Sequence, residues 1–288
     1  MYKINHKSKG LVSHGVSACA GCGLELIMRN VLDVLGQDTI IVIPPGCSAL
    51  FSGFGKETGL KIAGIQGNLE NSAACAAGIR AGLNAQGNKH TNVLAFAGDG
   101  ATVDIGLQSL SGAMERQDRI IYVCYDNEAY MNTGIQSSSS TPLWASTTTT
   151  PTGKPVTRKD LIGIAIAHNI PYAASASLQN LVDLKKKAKK AMETNGPSLL
   201  HIHCPCPTGW FYDPKFTIRI ARLAVTTGNW ILYEYIDGKI NINFRPHQLE
   251  PLDEYIKLQG RFKHLKSEQL EEIKADIKRN YDRFMEKN

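Results

Sequence analysis

Two apolar runs of strand length, each closed by oxygen-bearing side chains, constrain this chain more than any other feature. Asn92-Val93-Leu94-Ala95-Phe96-Ala97 ends in Gly98-Asp99-Gly100, and Ile120-Ile121-Tyr122-Val123-Cys124-Tyr125 ends in Asp126-Asn127, with Asn127 28 positions beyond Asp99. Short, continuously apolar runs of this kind suit strands covered on both faces. Strand-like runs near 39–43, 92–97, 119–125, 171–174 and 198–203 alternate with helical patterns near 23–36, 70–85, 106–116, 158–168 and 178–193. That alternation predicts an α/β chain: a doubly wound, mostly parallel sheet with helices on both faces and ligands at the carboxyl ends of its strands.

Strand ends that carry Asp and Asn suit a hard divalent cation. Mg²⁺ takes octahedral oxygen ligands, usually a few from protein and the rest from phosphate and water. The glycines beside Asp99 let the backbone turn sharply and come close to an anion. The plainer alternative is a Gly-rich turn after a buried strand, because Gly and Asp are the ordinary residues of turns.

The seven cysteines are Cys19, Cys22, Cys47, Cys75, Cys124, Cys204 and Cys206. No secretory leader pattern is visible, so disulfides are not expected and the cytoplasm is the expected location. Cys19-Ala20-Gly21-Cys22-Gly23 precedes the helical pattern Leu24, Ile27, Met28, Val31, Leu32, Leu35. Both thiols are therefore expected at a helix N-terminus, whose partial positive charge favours thiolate. Cys47 follows Pro44-Pro45-Gly46 after a strand, and Cys204 and Cys206 follow the strand-like Leu199 to His203. Four ligands can thus meet at one sheet edge, with Cys204 and Cys206 both open as the fourth. Zinc and iron suit such thiolates equally, whereas a redox dithiol at Cys19 and Cys22 lacks the strand that ordinarily precedes one. Cys75, among alanines on a helix, and Cys124, in mid-strand, read as core.

Taken in order, C-A-G-C-G at 19–23, G-C-S at 46–48, G-D-G-A-T-V-D-I-G at 98–106, Y-D-N-E-A-Y-M-N-T-G-I-Q-S-S at 125–138, T-P at 141–142, P-T-G-K at 151–154, C-P-T-G-W at 206–210 and L-Q-G-R-F-K-H-L at 258–265 resemble the β subunit of the pyruvate:ferredoxin (2-oxoacid:ferredoxin) oxidoreductase family. The resemblance runs from about His14 to Leu265, and the pairing of Gly-Asp-Gly with Asp-Asn resembles the diphosphate-binding motif of thiamine diphosphate enzymes. It implies a thiamine diphosphate-binding fold. It also implies a [4Fe-4S] cluster on Cys19, Cys22, Cys47 and Cys206, leaving Cys204 as a neighbour. Mg²⁺ would be held by Asp99, Asn127 and the Ala129 carbonyl, with Gly98, Gly100, Ala101 and Cys47 against the cofactor. Asn132, in the N-T-G turn, would be the catalytic residue beside the thiazolium. Asn127 stands where single-chain relatives use Thr, and either supplies a neutral oxygen.

The implied activity is oxidative decarboxylation of a small 2-oxoacid, pyruvate first, with electrons passed to ferredoxin and coenzyme A as acyl acceptor. Oxalate, branched-chain or aryl 2-oxoacids are alternatives within the family, and a four-cysteine zinc protein is the alternative outside it. The family places the pyrimidine-binding half of the cofactor site on another subunit. Partners are therefore that subunit, a ferredoxin-like subunit or domain, and ferredoxin, and the chain alone is expected to be inactive.

With 288 residues, 43% of them apolar, the chain can bury a large core. Residues 1–210 are expected to carry the cofactor and cluster. Residues 211–288 are expected to form an extension packed on the same domain: a hairpin around Asp237-Gly238, then a charged helix from Ser267 to Lys287. The polar stretches Ser137 to Ser140 and Thr147 to Thr150 are expected to form an ordered loop past the site. No apolar run reaches the ~20 residues that span a bilayer. The net charge of +6 and the basic run Lys185 to Lys190 lack interleaved aromatics and read as a solvated helix face rather than a nucleic-acid surface. Trp144 admits two placements: over the thiazolium, where its bulk shortens the pocket, or packed into the protein, where it does not affect substrate choice.

Overall fold

The computed structural model describes residues 3–4, 9–53 and 57–287. Its strands are β1 (Lys3–Ile4), β2 (Thr39–Ile43), β3 (Glu57–Thr58), β4 (Ala63–Gln66), β5 (Asn92–Gly98), β6 (Ile121–Asp126), β7 (Tyr172–Ser177), β8 (Ser198–His203), β9 (Tyr233–Ile236) and β10 (Lys239–Ile242). Its α-helices are α1 (Gly23–Leu35), α2 (Ala49–Ser52), α3 (Ser72–Ala85), α4 (Leu107–Glu115), α5 (Leu161–Ala167), α6 (Leu181–Glu193), α7 (Pro207–Trp210), α8 (Thr217–Thr226), α9 (Leu252–Lys257) and α10 (Ser267–Lys287). Strands β1 and β3 pair on their own, and the other eight form one sheet in the order β10-β9-β7-β8-β6-β5-β2-β4. From β7 to β4 every pairing is parallel, while β9 joins β7 and β10 joins β9 antiparallel.

Alternation along the central strands explains the two layers of helices. Leu94 and Phe96 of β5 join Ile41, Ile43 and Val123 in a core with α1 (Ile27, Met28, Val31) and α6 (Leu184, Ala188). Val93, Ala95 and Ala97 join Val42, Tyr122 and Cys124 in a second core with α3 (Ala73, Ala76), α4 (Leu110, Met114) and α5 (Leu161, Ile162). Successive residues thus face opposite layers, and a fully buried Leu, Ile or Phe contributes about 1.5–3 kcal/mol by transfer from water. A third core, around Trp210, Ile220, Leu223, Trp230, Tyr255 and Phe262, lies in the C-terminal part of the chain and reaches back to Ala145 and Cys206.

From β2 the chain passes outward to β4, then returns to place β5 on the other side of β2. The carboxyl ends of β2 and β5 therefore flank a topological switch point, where an open α/β sheet leaves a crevice. The C-terminal hairpin turns at Asp237 and Gly238, with φ of 44° and 89°, as a two-residue turn with both central residues left-handed requires. Several elements depart from the sequence reading. The edge strand β4, helices α8 and α9, and a π-helical turn at Gly100–Asp104 were not anticipated. No helix among the described residues is long and apolar enough to cross a membrane.

Candidate functional site

At that switch point a single cleft is lined by Cys47, Gly98, Asp99, Gly100, Ala101, Asn127, Ala129 and Asn132, together with Tyr125, Tyr130 and Met131. The topology brings them together. Parallel β5 and β6 end side by side, pairing Gly98 with Tyr125, and the loop after β2 brings Cys47 to the same rim. Gly100 is required here, since a Cβ would sit 2.4 Å from the Tyr130 ring, whose hydroxyl donates to the Gly100 carbonyl at 3.1 Å. The π-helical turn then opens the start of the α4 segment; such turns recur at functional sites. Asn132 is exposed at the mouth of the cleft.

The floor is a group of oxygens. The amide head of Asn127 comes within 2.9 Å of Asp99 Oδ1 and 2.8 Å of the Ala129 carbonyl oxygen. Both neighbours are acceptors, so either the amide nitrogen faces them and donates, or its oxygen faces them and a cation balances all three. Ligands about 2.0–2.1 Å from an octahedral Mg²⁺ lie about 2.9 Å apart along an edge, the spacing seen here. Asp99 is buried, and Ser138 Oγ donates to its Oδ2 at 2.5 Å. Burial, and after it the Asp126 carboxylate, push the Asp99 carboxyl well above its usual range.

Ser138 belongs to the polar stretch expected to pass the site, and that stretch is ordered. Thr141 Oγ1 donates to the Glu128 carbonyl at 2.6 Å, and Lys154, from P-T-G-K, donates from Nζ to the Thr141 carbonyl at 2.8 Å. Burial, then Arg158, pull that ammonium down to about 8. Trp144 does not line the cleft. Its indole nitrogen donates to Glu272 of α10 at 2.7 Å and its ring packs against the C-terminal core, the second of the two placements the sequence allows.

Four thiols lie near enough to feel one another's charge, though among the described residues no three are drawn together to hold one metal ion. Cys22 stands at the N-cap position of α1 without a side-chain capping bond, Cys206 caps α7 with its Sγ accepting from Gly209 N at 3.3 Å, Cys47 lines the cleft and Cys19 is exposed. Cys22 stands at the α1 N-terminus as expected, but burial works against the backbone N–H groups that pull its thiol down there. Burial outweighs the backbone N–H groups and pushes Cys22 up to about 12, and burial does the same to Cys47, with Cys206 second. Cys124 is buried as expected, whereas Cys75 is only half-buried against the α3 core. Cys204 is buried in the α1 core.

Residues 45–202 match the family model described as thiamine pyrophosphate enzyme, C-terminal TPP binding domain. The pyruvate synthase subunit PorB of Methanothermobacter thermautotrophicus is 49% identical over 268 residues, covering 91% of this chain and 93% of the relative. The ketoisovalerate oxidoreductase subunit VorB of Pyrococcus abyssi is 45% identical over 282 residues, covering 94% and 91%. The chain belongs to the β-subunit family of 2-oxoacid:ferredoxin oxidoreductases. A 2-oxoglutarate:ferredoxin oxidoreductase from Magnetococcus marinus, solved with 2-oxoglutarate, coenzyme A and succinyl-CoA bound, shares the fold of this β subunit with a TM-score of 0.61. Its identity is 20%, and the match covers 77% of this chain and 84% of that one.

Behind the cleft the β subunit carries a layer of buried charge that reading the sequence missed. Glu128 is fully buried and pairs with Arg158 Nη1 at 3.1 Å and Arg261 Nη2 at 2.6 Å. Asp126 accepts from or pairs with His201 Nε2 at 2.7 Å; burial raises its carboxyl, but the imidazole outweighs burial and leaves it below the usual range. His203 has neither ring nitrogen hydrogen-bonded, and burial followed by Arg158 pushes it down to about 3. Trp210, the last residue of C-P-T-G-W, donates from Nε1 to the Asn127 carbonyl at 2.8 Å while Arg261 lies 3.7 Å over its ring. One signal was available: Glu128 and Arg261 are charges inside motifs that otherwise read as turn or packing residues.

Proposed function

We propose that this β subunit binds thiamine diphosphate through Mg²⁺ at Asp99, Asn127 and the Ala129 carbonyl, holds a [4Fe-4S] cluster on Cys19, Cys22, Cys47 and Cys206, and serves oxidative decarboxylation of a small 2-oxoacid. The observation that carries this reading is the convergence of the Asn127 amide head on Asp99 Oδ1 and the Ala129 carbonyl at 2.9 and 2.8 Å, in a cleft that gathers all eight residues expected at the cofactor. The donor set suits a hard divalent cation, and four soft thiols near the cleft suit a thiolate-ligated cluster.

When bound, thiamine diphosphate supplies the carbon nucleophile for the keto carbon of a 2-oxoacid, and the cluster supplies one-electron acceptance. The chain's own residues do the rest. Ser138 orients the Asp99 carboxylate, Tyr130 and Gly100 shape the diphosphate wall, Cys47 stands between cleft and thiol group, and Asn132 is presented at the mouth toward the reacting carbon. Pyruvate is the first-choice substrate because PorB relatives are pyruvate synthase subunits; the VorB likeness keeps a branched 2-oxoacid as the alternative. On this reading residues 1–210 bear the cofactors and 211–288 are an extension. The complex is cytoplasmic, electrons leave through a ferredoxin-like subunit or domain to ferredoxin, coenzyme A takes the acyl group, and the partner subunit completes the site.

A four-thiolate zinc site is the second reading. Zinc at about 2.3 Å from each sulfur draws thiolates to within about 4 Å of one another. Among the described residues no three His, Cys, Asp or Glu side chains are grouped to hold one metal ion, so metal analysis decides between zinc and the cluster. Anaerobic purification of the complex with metal analysis and visible absorption tests this: iron and a brown chromophore support the proposal, and a colourless zinc protein refutes it. Asp99→Ala in the same complex should lose thiamine diphosphate on equilibrium dialysis with Mg²⁺, and retention at the parental level would refute the cation site.

A further inference from the structure

Between Asn127, whose amide head faces Asp99 Oδ1, and Ala129, whose carbonyl lies 2.8 Å from that amide, the chain places Glu128 with φ of 64°. A non-glycine side chain is unfavourable there, and the conformation persists only where its surroundings over-determine it. They do so at four points. The backbone N–H of Glu128 donates to Asp126 Oδ1 at 2.9 Å and its carbonyl accepts from Thr141 Oγ1 at 2.6 Å. Its two carboxylate oxygens are divided between two arginines, Oε1 to Arg158 at 3.1 Å and Oε2 to Arg261 at 2.6 Å.

The arginines are themselves fixed. Arg158 Nη2 donates to Asn229 Oδ1 at 2.9 Å with its guanidinium over Trp230, and Arg261 Nε donates to Gln259 Oε1 at 2.9 Å with its guanidinium over Trp210. A left-handed residue between two others redirects the chain between them. Here it lets the Asn127 side chain and the Ala129 carbonyl point to the same spot, an arrangement that an extended or helical Glu128 would break. We infer that Glu128 is a positioning residue for the cation-binding turn: its carboxylate, gripped by Arg158 and Arg261, holds the left-handed backbone that aims Asn127 and Ala129 at Asp99. This rests on the cation site proposed above and extends it to a residue that touches neither metal nor cofactor.

A simply structural ion pair would also be buried, so the test separates conformation from charge. Glu128→Ala removes the carboxylate and disfavours the left-handed backbone, whereas Glu128→Gly removes the same carboxylate but adopts that backbone freely. In the assembled complex, the Mg²⁺ concentration that half-saturates thiamine diphosphate binding is measured by equilibrium dialysis, with iron content and visible absorption as readouts of the thiol site. Glu128→Ala should raise that concentration about tenfold or more, the usual loss when a group orienting a metal ligand is removed. Glu128→Gly should recover most of it, with iron unchanged in both. Equal loss in Ala and Gly, or parental binding in Ala, overturns the inference. If neither variant assembles, the near-isosteric Glu128→Gln decides, with a several-fold weaker Mg²⁺ response supporting the inference and a parental one overturning it. Asp99→Ala measured alongside distinguishes the two levels. Parental binding there removes the cation site and the inference with it, whereas loss there beside parental binding in Glu128→Ala removes the positioning role alone.

Discussion

Replacing Trp210 by Phe removes one indole N–H and half a ring from the join between the thiol group and the cleft. The buried Asn127 carbonyl loses its donor at 2.8 Å, and a buried acceptor left without a partner costs about 1–3 kcal/mol. The missing ring leaves a void of about 40 Å³, adding about 1 kcal/mol at ~24 cal/mol per Å³. Arg261 keeps an aromatic face to lie on, so its pairing with Glu128 should survive. The sum, about 2–4 kcal/mol, corresponds to a drop of roughly 3–7 °C in melting temperature for a chain of 288 residues. That carbonyl belongs to the residue whose amide faces Asp99, so the Mg²⁺ requirement for thiamine diphosphate binding should rise as well. Cys206, whose Sγ is capped by Gly209 N and not by the indole, should keep its iron. Scanning calorimetry of the anaerobic complex, Mg²⁺ titration by dialysis and iron analysis give the three readouts. A melting drop with an unchanged Mg²⁺ requirement would show that the indole packs the interior without holding the Asn127 turn, and would refute the reasoning.

Three further outcomes follow from the same coordinates. Cys206→Ser should abolish the brown chromophore while Cys204→Ser, buried in the α1 core, should keep it; the reverse result in visible absorption would reassign the fourth thiolate. His203→Phe should stabilise the complex at pH 7, because it removes two buried ring nitrogens that make no hydrogen bond, Nε2 lying 4.0 Å from Glu128 Oε1. It should also flatten the acid limb: His203 is held down at about 3 against ~6.5 unfolded, so unfolding takes up a proton as pH falls from ~6.5 toward 3 and stability is lost across that window. Melting temperatures measured from pH 7 to 5 with parallel slopes in parent and variant would contradict this. Trp144→Gly should leave the order of kcat/KM among pyruvate, oxalate, 2-oxoisovalerate and 2-oxoglutarate unchanged, since the indole turns to Glu272; a reordered series would return Trp144 to the pocket.

The sheet was legible because its central strands are covered on both faces and therefore read as unbroken apolar runs. β4 was not, since Ala63-Gly64-Ile65-Gln66 is exposed throughout and carries no such run. Helix α8 was not read although Ile220, Ala221, Leu223 and Ala224 fall on one buried face; its ten residues are short enough to be taken for part of the connection after Trp210. That Asp99, Asn127 and Cys47 come together at one cleft was legible, because they stand as polar or soft groups at the ends of apolar strands. Glu128, Arg158 and Arg261 were not. Their pairing spans 30 and 133 positions, and a charged residue in sequence ordinarily signals surface. Burial reverses that meaning only once the third core encloses them. At Cys22, likewise, local sequence shows the helix dipole but not the depth of burial that opposes it.

Strand β4 bears on how the chain behaves before assembly. It pairs with β2 on one side only and closes the order of the sheet; all four of its residues are exposed, with Ile65 at 47%. Among the described residues no strand covers its outer edge, and it carries neither proline nor a charge to blunt that edge. An open row of backbone donors and acceptors beside an exposed isoleucine is a template for another strand. Produced without its companions, the β subunit is therefore expected to self-associate edge to edge and to be lost to aggregation in proportion to its concentration. Ile65→Lys should raise the soluble yield of the lone chain while leaving its sheet intact.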